Sequence, residues 1–379
     1  MASRGVTKIL AYGTRPDRLV RFGLWIIASC AVAFAWAWNL SSYTVGVDLE
    51  IPLRAAERWV AGGQPYLGSA FTNLGGATQP FMYPPYALPI LAPLTLLPRA
   101  VVLVPWLGLL LVVAFATCRR LGVPVRWIPV VLVWPPFAEP LIGGNVQVLL
   151  FAAFVALYWS PGGPGVGRDI ADAAEPDWRI GLKAGAIMFL KVGQFQPWLH
   201  VGRWRRKAAL FALAMLGGAA LVTLPLVGLD TWRDWLEQLV RATNRDWLLG
   251  GFALPRMLPG IGLAVSAMAC LGVLFVRTRD AGRTVGILTV IGAPSLYMFG
   301  LLFLLPAMLH IRREVSLVAA SLVATYTYAG AWAAVVLVAV AYAAASRRPV
   351  LREPAGPGWA LGPPANRSAS GPRPMQAAS

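Results

Sequence analysis

Residues 22–40 read FGLWIIASCAVAFAWAWNL, an apolar run followed at once by a polar segment. About 20 apolar residues are needed to cross the hydrocarbon core of a bilayer, so this run is long enough to span. The stretch before it, MASRGVTKILAYGTRPDRLVR (residues 1–21), is basic. A basic leader and an apolar run also make a signal peptide, but no small-residue cleavage site follows Leu40. The run therefore reads as a first transmembrane helix entered from a cytoplasmic N-terminus.

The rest of the chain repeats this character. Of 379 residues, 58% are hydrophobic and 13% charged, and the mean hydropathy is +0.63. Soluble domains carry roughly twice that charged fraction and could not hide so much apolar surface. Further apolar runs fall near 86–97, 99–118, 126–138, 145–159, 181–200, 208–228, 259–276, 284–309 and 315–345. The last two contain expected breaks, at Gly292-Ala293-Pro294 and around Thr325–Gly330. The expected fold is all-α: a polytopic integral membrane protein with ten to twelve transmembrane helices, several too short to span straight. Such helices must be tilted, broken or re-entrant, with protein or water around their free backbone groups.

The net charge of +17 lies between apolar spans rather than on one soluble face, which argues against a nucleic-acid partner. It fits cytoplasmic loops under the positive-inside rule. With the N-terminus inside, residues 41–85 and 229–258 become external loops. Counting 86–97 as a crossing puts Arg203, Arg205, Arg206 and Lys207 inside, together with the strip Arg277 to Arg283 and the pair Arg347 and Arg348. The same count leaves Arg119, Arg120 and Arg126 outside, against the rule. The domain reading is a basic cytoplasmic N-terminus (1–21), a membrane domain (22–345) and a disordered cytoplasmic tail (346–379) rich in Pro, Gly, Ala, Ser and Arg.

The first external loop is SSYTVGVDLEIPLRAAERWVAGGQPYLGSAFTNLGGATQPFMYPP (41–85) and the second is LDTWRDWLEQLVRATNRDWLLGGFALPRMLP (229–259). Leu53, Ala56, Trp59 and Val60 in the first recur at helical spacing, as do Trp232, Trp235, Leu236 and Leu239 in the second. Both patterns predict amphipathic helices on the membrane surface with aromatic anchors at headgroup depth.

Asp48 stands just past the first span, at the start of the interfacial helix. A carboxylate there suits a general base acting on a sugar hydroxyl; a helix cap or a solvated acid is the plain alternative. Glu50 and Glu57 compete for the role. Lys191, inside the apolar run FLKVGQFQPWL (189–199), and Arg256, at the mouth of a span, are candidate partners for a phosphate ester. Snorkelling for Lys191 and a headgroup contact for Arg256 are their alternatives. Cys30, Cys118 and Cys270 have no metal or disulfide spacing, His200 and His310 cannot build a His-rich metal site, and no Walker, Rossmann or GxSxG motif occurs. No metal or cofactor is expected, and an activated sugar would have to arrive on a lipid.

Taken in order, Asp48, Ala55-Ala56, Gly63-Gln64-Pro65-Tyr66, Tyr83-Pro84-Pro85 and the short run LPILAPLTLLP (88–98) resemble glycosyltransferase family 87. This family belongs to the polyprenol-phosphate-dependent GT-C enzymes. PPFAEPLIGGNVQVLLF (135–151) resembles the family's Pro-Pro…Gly-Gln-x-Asn segment, with the polar residues displaced to Asn145 and Gln147. LKVGQFQPWLHVGRWRRKA (190–208) resembles its Lys…Pro helix, bringing in Gln196 beside Lys191. Arg256 matches the end of another motif, and Tyr297 stands where the family carries a late His or Tyr. The resemblance implies a GT-C-like fold and inverting transfer of mannose from a polyprenyl-phosphate sugar donor to a lipid or glycan acceptor. It implies a multi-pass protein of the inner (plasma) membrane, surrounded by membrane lipids. Asp48 would be the base, and Tyr66, Tyr83, Lys191, Gln196, Arg256, Tyr297, Asn145 and Gln147 would bind substrate. Two other readings stay open: a transporter or flippase of a lipid-linked saccharide, and a catalytically degenerate scaffold. The absence of a recognisable internal repeat weighs against a transporter.

Overall fold

The structure is a computed structural model. It describes residues 45–66, 71–72, 78–79, 81–160, 164–244, 251–278 and 280–347, with parts of 20–37. The basic N-terminus, most of the polar end of the first expected span and the tail from 348 lie outside the described residues.

Among the described residues most of the regular structure is helical. A pair of two-residue strands, β1 (Phe71–Thr72) and β2 (Thr78–Gln79), runs antiparallel within the first loop. Among the described residues three helices are long and apolar enough to cross a membrane: α3 (Arg99–Arg120), the Arg206–Val240 part of α9 (Arg206–Asn244), and α15 (Tyr328–Ser346). A fourth span is available if the segments Val125–Leu132 and Pro135–Gly143, bent 72° at their junction, count as one. The helices α6 (Gln147–Tyr158), α11 (Ile261–Gly272) and α12 (Ala281–Ile291) are apolar but shorter, as is the stretch Met298–Met308. Several helices are thus shorter than a straight span, as the sequence leads one to expect. α3 shows why these helices suit lipid: Val101, Val104, Leu111 and Val112 are exposed on one side, while Leu110, Ala114 and Cys118 are buried on the other. A helix apolar all round is at home only where its outer face meets hydrocarbon.

Both expected breaks occur. α12 stops at Ile291 and the chain resumes as a 3-10 helix over Met298–Leu304, while α14 (Arg313–Ala324) and α15 are parted at Thr325 to Thr327. The run 181–200 is also broken. α7 (Asp177–Leu190) ends with Lys191 in an extended conformation, and α8 (Gln196–Trp204) begins after a turn. α7 lies tightly against α9. A β-carbon at Gly181 would lie 2.5 Å from the Ala208 carbonyl oxygen, and one at Gly185 would lie 2.7 Å from Met215. Small residues four apart let two helices approach closely in a membrane, where dispersion contacts drive association.

The two ends of the bundle differ in charge. At one end α1 (Val47–Val60) packs along α2 (Ala87–Thr95) and the start of α3. Arg99, the first residue of α3, pairs with Glu57 at 2.6 Å and Glu50 at 3.3 Å. The run 86–97 is therefore not a crossing: it returns to the end it left. α3 then carries the chain about 32 Å, at 1.5 Å per residue, to Arg119 and Arg120. At that far end Arg120 donates to the Trp159 carbonyl, Arg168 and Lys183 pair with Glu175, and Arg205 pairs with Asp177. Arg203 and Arg277 lie over the Trp204 ring. The sequence-based topology, which separated Arg119 and Arg120 from Arg205, is corrected: they share one end. The error came from treating a nine-residue helix as a span.

Candidate functional site

The site lies at the end opposite the basic cluster, where α1, α5 (Pro135–Gly143), the start of α6, the α7–α8 turn and the segment after α12 converge. The Gly46 N–H donates to the Ile142 carbonyl at 2.9 Å, fastening the beginning of α1 to α5. Asp48 occupies the first turn of α1. Acidic residues are favoured there by the partial positive charge of a helix N-terminus.

Around Asp48 the contacts are specific. The Asn145 side-chain oxygen accepts the Gln147 backbone N–H at 2.8 Å. That leaves the Asn145 amide N–H groups to donate, and one of them donates to the Asp48 carboxylate. Lys191, whose charge acts on Asp48, places its ammonium 5.2 Å from the Phe299 ring centroid and 5.9 Å from that of Tyr297. These two rings stack at 5.4 Å. A cation over aromatic faces is held by the ring quadrupoles without a neutralising partner. Among the described residues, no carboxylate comes within ion-pair distance of Lys191. Asp48 Oδ2 is buried and takes no hydrogen bond there. Burial raises the Asp48 carboxyl from 3.8 to about 6, against the opposing pull of the Asn145 amide and the Lys191 charge. A carboxylate that is kept buried, with one oxygen uncommitted and a pKa near neutrality, has the character of a base waiting for a proton.

The three acids of α1 differ in their partners. Glu50 pairs with Arg54 at 2.7 Å and with Arg99, and Glu57 pairs with Arg99. Both fasten α1 to α3, and Asp48 alone of the three faces the site. Tyr83 and Tyr297 lie within electrostatic reach of Asp48, and Arg256 lies within reach of Tyr297.

The other sequence candidates divide. Tyr66 is buried, stacks on Phe81 at 5.2 Å and donates its hydroxyl to the Tyr83 carbonyl. It shapes the segment that carries Tyr83. Gln196 is buried and donates to the Gly292 carbonyl at 2.9 Å, joining α8 to the break after α12. Gln147 is fully buried at the start of α6, its side-chain amide without a hydrogen-bond partner among the described residues. Two tryptophans of the second loop, Trp232 and Trp235, turn inward: Trp235 donates to the Met82 carbonyl, and Trp232 packs edge-on against it. Leu236, read as part of the same face, is exposed instead. Phe299 escaped the sequence reading. Its one local signal is an aromatic two residues beyond Tyr297 in a segment that follows Pro294.

Three comparisons with known proteins bear on this arrangement. The profile of glycosyltransferase family 87 matches residues 81–276. That is just over half of the chain, and it covers Tyr83, Asn145, Lys191 and Arg256 but neither Asp48 nor Tyr297. The chain is 28% identical over 282 residues to a polyprenol-phosphate-mannose-dependent alpha-(1-2)-phosphatidylinositol mannoside mannosyltransferase of Mycobacterium tuberculosis. That alignment takes in 65% of this chain and spans 62% of the relative's length. No solved structure matches the chain.

Proposed function

The chain belongs to glycosyltransferase family 87, and from that premise we propose that it transfers mannose from a polyprenyl-phosphate donor to a lipid or glycan acceptor, with Asp48 as general base. The single observation that carries the reading is the Asp48 carboxylate, buried, uncommitted at Oδ2 and flanked by Asn145 and Lys191. The acceptor hydroxyl attacks the anomeric carbon from the face opposite the phosphate, and its proton passes to Asp48. The bond from anomeric carbon to phosphate oxygen breaks, and its electron pair leaves with the polyprenyl phosphate. The sugar inverts. Lys191 and Arg256 supply positive charge for the leaving phosphate, where charge develops most. Tyr83, Tyr297 and Asn145 border the reacting atoms, and the reading calls on no metal or nucleotide.

The end that carries Asp48 faces outward in this proposal. The positive-inside rule supports it, because Arg119, Arg120, Arg203, Arg205 and Arg277 gather at the opposite end. The protein is then a multi-pass component of the plasma membrane, with residues 22–345 as one GT-C-like domain. Its crossings combine long helices with shorter ones and with the bent pair Val125–Leu132 and Pro135–Gly143.

The test is transfer of labelled mannose from polyprenyl-phosphate mannose by membranes containing the protein. Asp48→Asn, which keeps shape and removes the base, should lower the rate about 10²- to 10⁴-fold while the protein still inserts. Undiminished transfer by that variant would remove Asp48 from the mechanism.

A further inference from the structure

The cation at Arg256 is exposed, and it sits on a four-residue helix, α10 (Leu254–Met257), too short to hold its own geometry. On its C-terminal side it packs closely on α11, where a β-carbon at Gly262 would meet the Leu254 carbonyl, and on its N-terminal side it is held by a tether just upstream. The Phe252 N–H donates to the Leu296 carbonyl at 2.8 Å, and the Trp332 indole N–H donates to the Phe252 carbonyl at 2.8 Å. Both polar groups of one buried peptide residue are thereby committed, one to the residue before Tyr297 and the other to α15. The Phe252 ring is buried and stacks on Tyr328 at 5.6 Å. Gly251 adopts φ +56° and pairs with Leu296, and a β-carbon there would collide with the Leu296 carbonyl. Residues 251–253 are therefore pinned between the Tyr297 segment and the first turn of α15.

From this geometry we infer that Trp332 is a positioning residue for Arg256: through Phe252 it fixes the Arg256 helix beside Tyr297 and hence beside the leaving-group end of the site. The inference rests on the function proposed above for the role of Arg256. Trp332 touches no reacting group. It acts by holding a loop whose freedom would otherwise be taken from the donor's binding energy. The acceptor, which reacts at Asp48, is not touched by this tether.

The experiment is a double-mutant cycle. Trp332→Phe keeps an aromatic ring and removes the indole N–H, leaving the Phe252 carbonyl without its donor. Donor KM should rise about tenfold, the loss expected for one buried hydrogen bond, with acceptor KM unchanged. In an Arg256→Ala background the same substitution should change donor KM by less than about twofold. Equal effects in both backgrounds, a rise in acceptor KM instead, or no change overturns the inference. If Trp332→Phe fails to fold, Tyr328→Leu, at an exposed ring, carries the test with a rise of about threefold. An unchanged donor KM there is equally fatal.

A readout that needs no transfer separates this inference from the proposed function. Arg256→Cys with Tyr297→Cys, in a chain whose three native cysteines are replaced, should crosslink with a short thiol reagent. Trp332→Phe should slow that reaction several-fold. If crosslinking responds but no variant, nor the wild type, transfers mannose, the tether stands and the proposed function falls. If transfer proceeds but crosslinking is indifferent to Trp332, the tether falls alone.

Discussion

Replacing Asn145 with Ala should move the pH dependence of transfer without touching the base itself. The Asn145 amide donates to Asp48 and favours its ionised form, offsetting part of the burial that holds the carboxyl at about 6. A hydrogen bond to a charged group contributes about 1.5–3 kcal/mol. At 1.36 kcal/mol per pH unit, its loss moves the midpoint from about 6 to about 7–8. The sign follows from the role: the base works ionised, so activity rises with pH through its pKa. At pH 7 the wild-type carboxylate is about 90% ionised and the variant's roughly 10–50%, so the rate falls about two- to tenfold. By pH 9 most of that loss is recovered. The assay is kcat/KM for mannose transfer in detergent between pH 5 and 9, with saturating donor. Asn145→Ala also removes the acceptor for the Gln147 N–H, which costs about 1 kcal/mol of stability, so folding must be checked at each pH. An acid limb that stays where it is in a folded variant would show that Asn145 does not tune the titrating group, or that this group is not Asp48.

Other expectations follow from the same contacts. Asp48 has a folded-state pKa above its unfolded value, so the stability from protonating it is full below about 3.8 and lost as pH rises through about 6. Asp48→Asn, inactive, should then melt above the wild type at pH 8 and near it at pH 4, the difference bounded by about 3 kcal/mol; a lower melting point at pH 8 would contradict the cost of ionising this buried acid. Glu175→Gln leaves Arg168 and Lys183 half-buried without their shared anion, and should lower stability by about 2 kcal/mol in thermal unfolding in detergent. Cysteines placed at positions 50 and 119, in a chain without native cysteines, should be labelled from opposite sides of sealed vesicles, position 50 from outside; labelling of both from one side would sink the two-ended arrangement.

Much of this was legible in the sequence, and the parts that were not share a cause. Asp48, the break at Gly292 to Pro294 and the turn at Thr325 to Thr327 are local signals, readable from hydropathy and Pro/Gly chemistry. Lys191 was visible as an unusual cation in an apolar run. The rings beneath it were not, because Phe299 is more than a hundred residues away and nothing local marks it. Trp232 and Trp235 read as surface anchors because helical spacing finds a face but not its direction. Here α1 and the segment before α2 supply a protein surface that takes Trp232 and Trp235 inward. The sidedness of Arg119 and Arg120 depended on whether 86–97 crosses. Only the pairing of Arg99 with Glu50 and Glu57 answers that, and ion pairs between distant segments leave no trace in composition.

The short helices bear on how the chain is made. The eleven residues of α12 cover about 16 Å, roughly half a hydrocarbon core. Released alone into lipid, such a helix would strand its terminal peptide groups in oil at a cost of several kcal/mol each. In the fold it packs side by side with the segment Met298–Met308, Gly286 lying against the Phe303 carbonyl. A substitution at Gly286 that loosens this contact with the Phe303 backbone should therefore lower the yield of folded protein in the membrane.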